Sequence, residues 1–364
     1  MRLGANSGVS VIMIGTSLTT MGGIATVVQG YVDAGLFERA PVRYVVTHRD
    51  GTSTQKLLCA LRSYWEILGI LLRPGRLLFH IHLSSRASFW RKLPIMSLCR
   101  LRGHPYIIHL HGSEFMQFYD VESGPFGKRL IRNAFNRAAR VLALSPEWRD
   151  NVARFSRNPE IRVLPNGVPV ASSCPERAGS RRPVRLLFLG RLGRRKGIYD
   201  LLAVLGEIDG DPPAFELIAA GDGEIDEVRR QASELGLSDA VRVPGWIDAN
   251  AKRQFLESSD IFVLPSHAEG LPMSLLEAMA AGLPVVCSTV GGIPLAVTNE
   301  IEGLLIEPGD IAGLRTAVQR LIDDPELRLE YGRQAHARAR AEFSVDSCVN
   351  RLIEIYVQMG VNAA

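Results

Sequence analysis

The chain has 364 residues, 46% of them hydrophobic and 22% charged, with a formal net charge of +4. This is a globular composition with room for two ordinary domains, and it excludes a disordered or collagen-like chain. Five scattered cysteines, Cys59, Cys99, Cys174, Cys287 and Cys348, form no CxxC pair; they fit a reducing compartment and argue against a disulfide framework or a cysteine zinc site.

In chain order, Met1 to Gly8 is short and polar and opens no secretory signal pattern. The first half then alternates apolar strand-like runs with helix-like runs. Its strands are expected at Val9–Ile14, Val42–Thr47, Leu77–Leu83, Tyr106–Leu110, Val141–Leu144 and Ile161–Leu164. A segment rich in Pro, Ser, Arg and Gly follows and reads as a linker over 169–183. The second half repeats the alternation, with strands at Arg185–Leu189, Phe215–Ala219, Val241–Val243, Ile261–Leu264, Pro284–Cys287 and Gly303–Ile306, and a final helix near Val345–Met359. Near-continuous apolar strands separated by helices indicate parallel sheets buried on both faces. The fold class is therefore α/β, with two Rossmann-like doubly wound parallel-sheet domains over 1–168 and 184–343 facing a central cleft, and a helical tail over 344–364. The longest apolar runs, such as Ile67–Leu72, are far shorter than the roughly 20 residues of a membrane span. The protein is expected to be soluble or peripheral.

The charge is unevenly spread. Residues 1–180 hold 23 Lys and Arg against 11 Asp and Glu, a net of +12; residues 181–364 hold 19 against 27, a net of −8. The basic half suits nucleic acid, an anionic membrane or an acidic substrate. Within it, Ser84 to Arg102 interleaves cations (Arg86, Arg91, Lys92) with Phe89, Trp90, Leu93, Ile95 and Met96. A basic amphipathic segment of this kind reads as membrane-surface binding, or else as a half-buried helix with a solvated basic face. No nucleic-acid-binding motif accompanies it.

Ligands of open parallel sheets sit at the carboxyl ends of strands, and the chemistry-bearing residues cluster there. Gly22-Gly23 follows the first strand, where glycines let backbone approach a phosphate or sugar closely. Gly190-Arg191 and Lys196-Gly197 follow the first strand of the second half, and Gly221-Asp222-Gly223-Glu224 follows the second. Glu269-Gly270-Leu271-Pro272 follows the fourth, and Glu277 lies eight positions beyond Glu269 on the helix-like run after it. Amides near Gly270 and Leu271, at a helix N-terminus, make an anion site suited to a diphosphate. Glu269 cannot bind phosphate, so its role is to accept hydrogen bonds from hydroxyls. Hydroxyls beside a diphosphate describe a nucleotide sugar. Two histidine pairs, His80/His82 and His109/His111, each share one face of a strand. Four imidazoles could bind zinc, but no carboxyl or thiolate partner accompanies them, and no metal is expected.

The ordered set Gly22-Gly23, His109-Leu110-His111-Gly112, Pro165-Asn166-Gly167-Val168, Gly190-Arg191-Leu192 with Lys196-Gly197, Gly221-Asp222-Gly223 and Glu269 with Glu277 resembles the family-4 retaining glycosyltransferases of the GT-B fold. The resemblance covers most of the second half and scattered points of the first. It implies a nucleoside-diphosphate-sugar donor bound mainly by the second domain, an acceptor handled mainly by the first, and a C-terminal helix that crosses back to the first domain. Carried over residue by residue, Arg191 and Lys196 neutralise the diphosphate as the nucleotide leaves. Glu269 holds the sugar hydroxyls and Glu277 the ribose. Gly22 and Gly23 border the donor with Gly270 and Leu271, and His111 faces the transferred sugar. The expected activity is retaining transfer to the hydroxyl of a glycan or lipid-linked acceptor, in surface-polysaccharide synthesis. No cofactor is expected, and the chain is read as carrying no Asp-x-Asp metal signature. The expected place is the cytoplasm, peripheral on the inner face of the cytoplasmic membrane. Two alternatives remain: a nucleotide-sugar epimerase or hydrolase on the same fold, and a non-catalytic sugar-binding protein.

Overall fold

The computed structural model describes residues 9–20, 22–177, 183–208 and 214–363. Met1 to Gly8 and residues 178–182 of the linker lie outside that range. Two compact units result, Met1–Gly167 with Val345–Ala364, and Val168–Ser344.

The first unit is built on six parallel strands: β1 (Ser10–Thr16), β2 (Val42–His48), β3 (Leu77–Leu83), β4 (Tyr106–Leu110), β5 (Arg140–Ala143) and β6 (Ile161–Val163). Their spatial order is β2-β1-β3-β4-β5-β6. The chain thus reverses direction across the sheet between β1 and β3, which marks the topological switch point. Strand side chains alternate between faces. Along β3, Phe79, Ile81 and Leu83 enter a cluster with Phe89, Ile95 and Cys99 of helix Ala87–Leu101 and Phe135 of helix Pro125–Arg137. His80 and His82 project to the other face, where Tyr31 and Tyr356 are fully buried. Tyr356 belongs to helix Val345–Gln358, so the last helix of the chain is part of this unit's core. Gly167 closes against it: an added Cβ would stand 2.8 Å from Cys348 Sγ and from Val345 Cα.

The second unit repeats the plan with β7 (Val184–Leu189), β8 (Phe215–Ala220), β9 (Val241–Gly245), β10 (Ile261–Leu264), β11 (Val285–Ser288) and β12 (Gly303–Ile306), in the order β12-β11-β10-β7-β8-β9. This is the doubly wound order whose switch point lies between the first and fourth strands, here β7 and β10. The sequence placed a strand at each of these twelve positions, because each is a short apolar run that a two-sided core requires. From the linker, Arg177 reaches into this unit and donates to the carbonyls of Leu256 (2.9 Å), Ala281 (2.6 Å) and Ser259.

The basic segment after β3 departs from its sequence reading. Lys92 is not a surface cation: it is fully buried, and its Nζ donates to His82 O at 2.6 Å and Ser88 Oγ at 3.1 Å. Desolvation, with Arg91 nearby, lowers its pKa to about 7. Arg86 is half-buried and ion-paired to Glu114 (2.7 Å) and Glu122. Among the described residues no helix is long and apolar enough to cross a membrane.

Candidate functional site

The switch point of the second unit is where its site residues meet. After β7 the chain turns through Gly190, Arg191 and Leu192 into a 3-10 turn, Arg194–Lys196, closed by Gly197 at φ 72°. A Cβ on Gly197 would strike the carbonyl of Pro265 just past β10. Glycine is required there both by the left-handed conformation and by this close approach. The two loops are then stitched together. His267 N donates to Arg195 O at 2.8 Å, and Arg195 Nη1 donates to Ala268 O at 3.3 Å.

This packing brings Lys196 onto Glu269. The ammonium is ion-paired to Glu269 Oε1, and the same oxygen accepts Ser266 Oγ at 2.7 Å. The pair is largely withdrawn from water, with side-chain exposures of 14% and 4%. A charge held there needs a partner, since an unpaired buried ion is costly.

Glu277 lies further along the same arm, on helix Met273–Ala280. Its Oε1 accepts Lys252 Nζ at 2.6 Å, with Glu277 only 14% exposed. Lys252 comes from helix Ala249–Ser258, after β9, and no motif pointed to it. The helix that carries Glu277 begins at Pro272 with no side-chain cap and no acidic residue in its first turn. No side chain of its cap or first turn neutralises its positive end.

Arg191 stands at the rim, with a side chain 67% exposed and a 3.4 Å contact to Asp222 Oδ2. Asp222 belongs to the loop after β8, laced to the loop after β7 by Leu192 N to Asp222 O (2.6 Å) and Glu224 N to Leu192 O (3.0 Å). On the other side Gly291 and Gly292 follow β11. Gly292 N donates to Gly270 O, and a Cβ at Gly291 would collide with Glu269 O. These two glycines hold the Glu269–Gly270 backbone in place. The sequence signal was a glycine pair in the loop after a strand, as with Gly22-Gly23.

In the first unit, Gly22 caps helix Gly23–Asp33 at φ 146° and ψ 162°, a conformation open only to glycine, and an added Cβ at either glycine would meet nothing within 4 Å. His111 is half-buried, with Nε2 2.9 Å from His82 Nδ1. His80 joins Tyr356 Oη (2.5 Å) to His109 Nδ1 (3.1 Å). The four rings form a stack: His80–His82 and His80–His109 are each 19° from parallel, at 4.6 and 5.2 Å. Burial, reinforced by neighbouring imidazoles, pushes His80, His82 and His111 well below the usual histidine value, and burial lowers His109 to about 3. They are neutral near pH 7. Ligand nitrogens of His80, His82 and His109 lie within 4.8 Å of one another. His80 already engages both ring nitrogens, one with Tyr356 Oη and one with His109 Nδ1. The reading that no Asp-x-Asp triplet appears is corrected by the sequence: Asp209-Gly210-Asp211 is one, preceding β8 and lying outside the described residues.

Known proteins give the same outline. Residues 9–172 match the family described as Glycosyltransferase Family 4, and residues 177–338 the family described as Glycosyl transferases group 1. A glycogen synthase of Mycobacterium tuberculosis is 35% identical over 279 residues, 72% of this chain and 66% of the relative, so the chain spans just under two thirds of that protein's length. A 2-deoxystreptamine N-acetyl-D-glucosaminyltransferase of Streptomyces fradiae is 30% identical over 296 residues, 76% of this chain and 70% of the relative. The crystal structure of Anabaena HepE in complex with UDP superposes with a TM-score of 0.77 at 18% identity, covering 96% of this chain and 100% of that one.

Proposed function

The chain belongs to the family-4, group-1 glycosyltransferases, and from that premise we propose that it moves a sugar, with retained anomeric configuration, from a nucleoside-diphosphate sugar to an acceptor hydroxyl. The observation that carries the reading is the switch point of the second unit. There Lys196, Glu269 and an uncapped helix N-terminus lie on adjoining loops, with Glu277 on that helix. This is the cation, anion-binding and hydroxyl-accepting equipment that a sugar diphosphate needs.

Arg191 and Lys196 bind the diphosphate and stabilise the charge that builds up as the nucleotide departs. The open position of Arg191 supports this, since its fork is committed only to a weak contact at 3.4 Å. Glu269 accepts hydrogen bonds from the sugar hydroxyls, and Glu277 from the ribose. Before the donor arrives, Lys196 and Lys252 hold these two carboxylates. An incoming diphosphate competes for Lys196 and exposes Glu269 to the sugar. Lys252 holds Glu277 in orientation, as a positioning residue. With two cations and helix amides at the diphosphate, no divalent ion is required. The UDP complex of the structurally similar Anabaena protein supports a nucleoside diphosphate as the ligand class. The acceptor is a glycan or lipid-linked hydroxyl, assigned to the first unit on the strength of the family resemblance.

The test is calorimetry with UDP, beside turnover with a UDP-sugar. Glu277→Ala should weaken UDP binding by about 1–3 kcal/mol, the cost of one lost ligand hydrogen bond in a desolvated site. Glu269→Ala should abolish most turnover and leave UDP binding nearly intact. Equal losses of UDP affinity in both variants would defeat this division of roles. Activity abolished by a chelator and restored by manganese would refute the metal-independent mechanism.

A further inference from the structure

Helix Ser53–Leu71 of the first unit has two apolar faces. One is spent inside the fold: Ser63, Ile67, Ile70 and Leu71 are buried. At about 100° per residue, Leu57, Leu58, Leu61, Trp65, Leu68 and Leu72 gather on the side opposite. Five of them are exposed, at 59%, 58%, 46% and 75% for Leu57, Leu58, Leu61 and Trp65, and 72% for Leu72. Single exposed leucines are ordinary on a soluble protein, but a contiguous row along one helix marks an interaction surface. The row extends past the helix end. Arg102 Nη2 bonds Leu71 O at 3.2 Å, which ties the end of this helix to the end of helix Ala87–Leu101, where Leu101 is 74% exposed.

The surroundings of this row are cationic. Arg62, Arg73 and Arg76 lie near the row, all exposed, and Lys56 falls on the opposite side of the helix; residues 53–76 hold one acid, Glu66, which is ion-paired to Arg43 at 2.7 Å. Arg100 and Arg102 add two more exposed cations next to Leu101. A tryptophan and leucines on one helix face, with arginines beside and beyond them, match an anionic lipid interface: apolar side chains enter the acyl boundary and cations meet headgroup phosphates. A second copy of this chain fits the face less well, because a two-fold contact would bring the same cations against each other.

We propose that the outward face of helix Ser53–Leu71, with Leu72 and Leu101, is a docking surface for an anionic phospholipid membrane. It moves the membrane contact from the start of helix Ala87–Leu101, where Lys92 is buried and Arg86 ion-paired, to the preceding helix. It goes beyond the glycosyl-transfer reading and is independent of it, because binding is measured without donor or acceptor.

The experiment is cosedimentation of the whole protein with vesicles of phosphatidylglycerol mixed with phosphatidylcholine, against vesicles of phosphatidylcholine alone. Wild-type protein should pellet with the acidic vesicles and stay in solution with the neutral ones, and added salt should release it. Tryptophan emission should shift to the blue on binding, and Trp65→Phe should remove most of that shift. The triple variant Leu58→Ser, Leu61→Ser, Trp65→Ser should lower the partition coefficient roughly tenfold or more. So should Arg62→Gln, Arg73→Gln, Arg76→Gln, a set that spares the apolar row. Far-ultraviolet circular dichroism should be unchanged in both. Wild-type protein left in the supernatant would overturn the proposal, as would variants that pellet like wild type. A concentration-dependent dimer, lost in the leucine variant and with no vesicle binding, would assign the face to a second copy and overturn it too.

Discussion

Removing the ammonium of Lys196 should destabilise the second unit well beyond the effect of an ordinary surface lysine. Its partner, Glu269, is 4% exposed in its side chain. In Lys196→Met that carboxylate would keep Ser266 Oγ at 2.7 Å but lose its counter-ion. Stripping one partner from a buried pair costs about 3–5 kcal/mol, and the retained hydroxyl and residual exposure bring the expectation to about 2–4 kcal/mol. For a unit of this size that is a fall in Tm of roughly 10 °C. Glu269→Gln should cost less, since the amide can still accept from Ser266. The double variant Lys196→Met/Glu269→Gln should be more stable than Lys196→Met alone, with a coupling of about 1–3 kcal/mol. Urea unfolding followed by circular dichroism measures all four proteins. The same four should part company in UDP binding. Lys196→Met should weaken it, whereas Glu269→Gln should leave it unchanged or tighten it, because the ammonium is no longer neutralised. A loss under about 0.5 kcal/mol in Lys196→Met, with no coupling, would mean a solvent-screened contact and would refute both the pairing and the competition by the diphosphate.

Three further outcomes are expected. Gly22→Ala should lose about 1–3 kcal/mol from backbone strain alone, since φ is 146° and its Cβ would meet no atom. Gly23→Ala, one step inside the helix and also open, should be neutral or slightly stabilising in the same urea titration. Lys92 has its pKa lowered to about 7, from an unfolded value near 10.5, so the unfolded chain binds the extra proton between those values and stability rises with pH across that window. The stability difference between wild type and Lys92→Met should therefore shift in favour of wild type by about 2–3 kcal/mol from pH 7 to 9.5, and a flat difference would place the ammonium in water. The buried histidines are lowered too, so their contribution is present above the unfolded value near 6.5 and is lost as pH falls below it. Wild-type stability should fall by more than about 1.4 kcal/mol per pH unit between pH 6 and 5, and His82→Phe should make that slope shallower.

The positions of the strands and of the loops that follow them were legible because both follow from local rules. A strand buried on two faces must be an apolar run, and a ligand loop of an open sheet must follow its carboxyl end. The partners of the charged groups were not legible. Lys196 and Glu269 are 73 residues apart, and Lys252 and Glu277 are 25 apart on different helices. What joins them is strand order, which a sequence without its sheet does not display. Lys196 was read as a cation for the diphosphate and Glu269 as a hydroxyl acceptor, each alone; the fold presents them as one neutralised pair. The glycines Gly291 and Gly292 went unremarked for a similar reason, since their need for a bare Cα comes from the backbone of another loop.

The basic segment after β3 shows how composition and periodicity can disagree, and which one to follow. Counting charges groups Arg86, Arg91 and Lys92 as one cationic patch. Helical phase separates them: Lys92 lies three residues after Phe89, three before Ile95, four before Met96 and seven before Cys99, all buried. That spacing puts Lys92 on the inward stripe of its helix, where a lysine survives by hydrogen-bonding a carbonyl and a hydroxyl and by having its pKa lowered. The same criterion applied to helix Ser53–Leu71 gives the opposite result. There the phase shared by Leu57, Leu61, Trp65, Leu68 and Leu72 is the one that the buried residues Ile67 and Ile70 do not occupy. An apolar stripe out of phase with the core has no use within its own unit. The net charge of the first half, +12 over residues 1–180, suits an anionic partner, and helical phase is what separates the face proposed for it from the inward stripe.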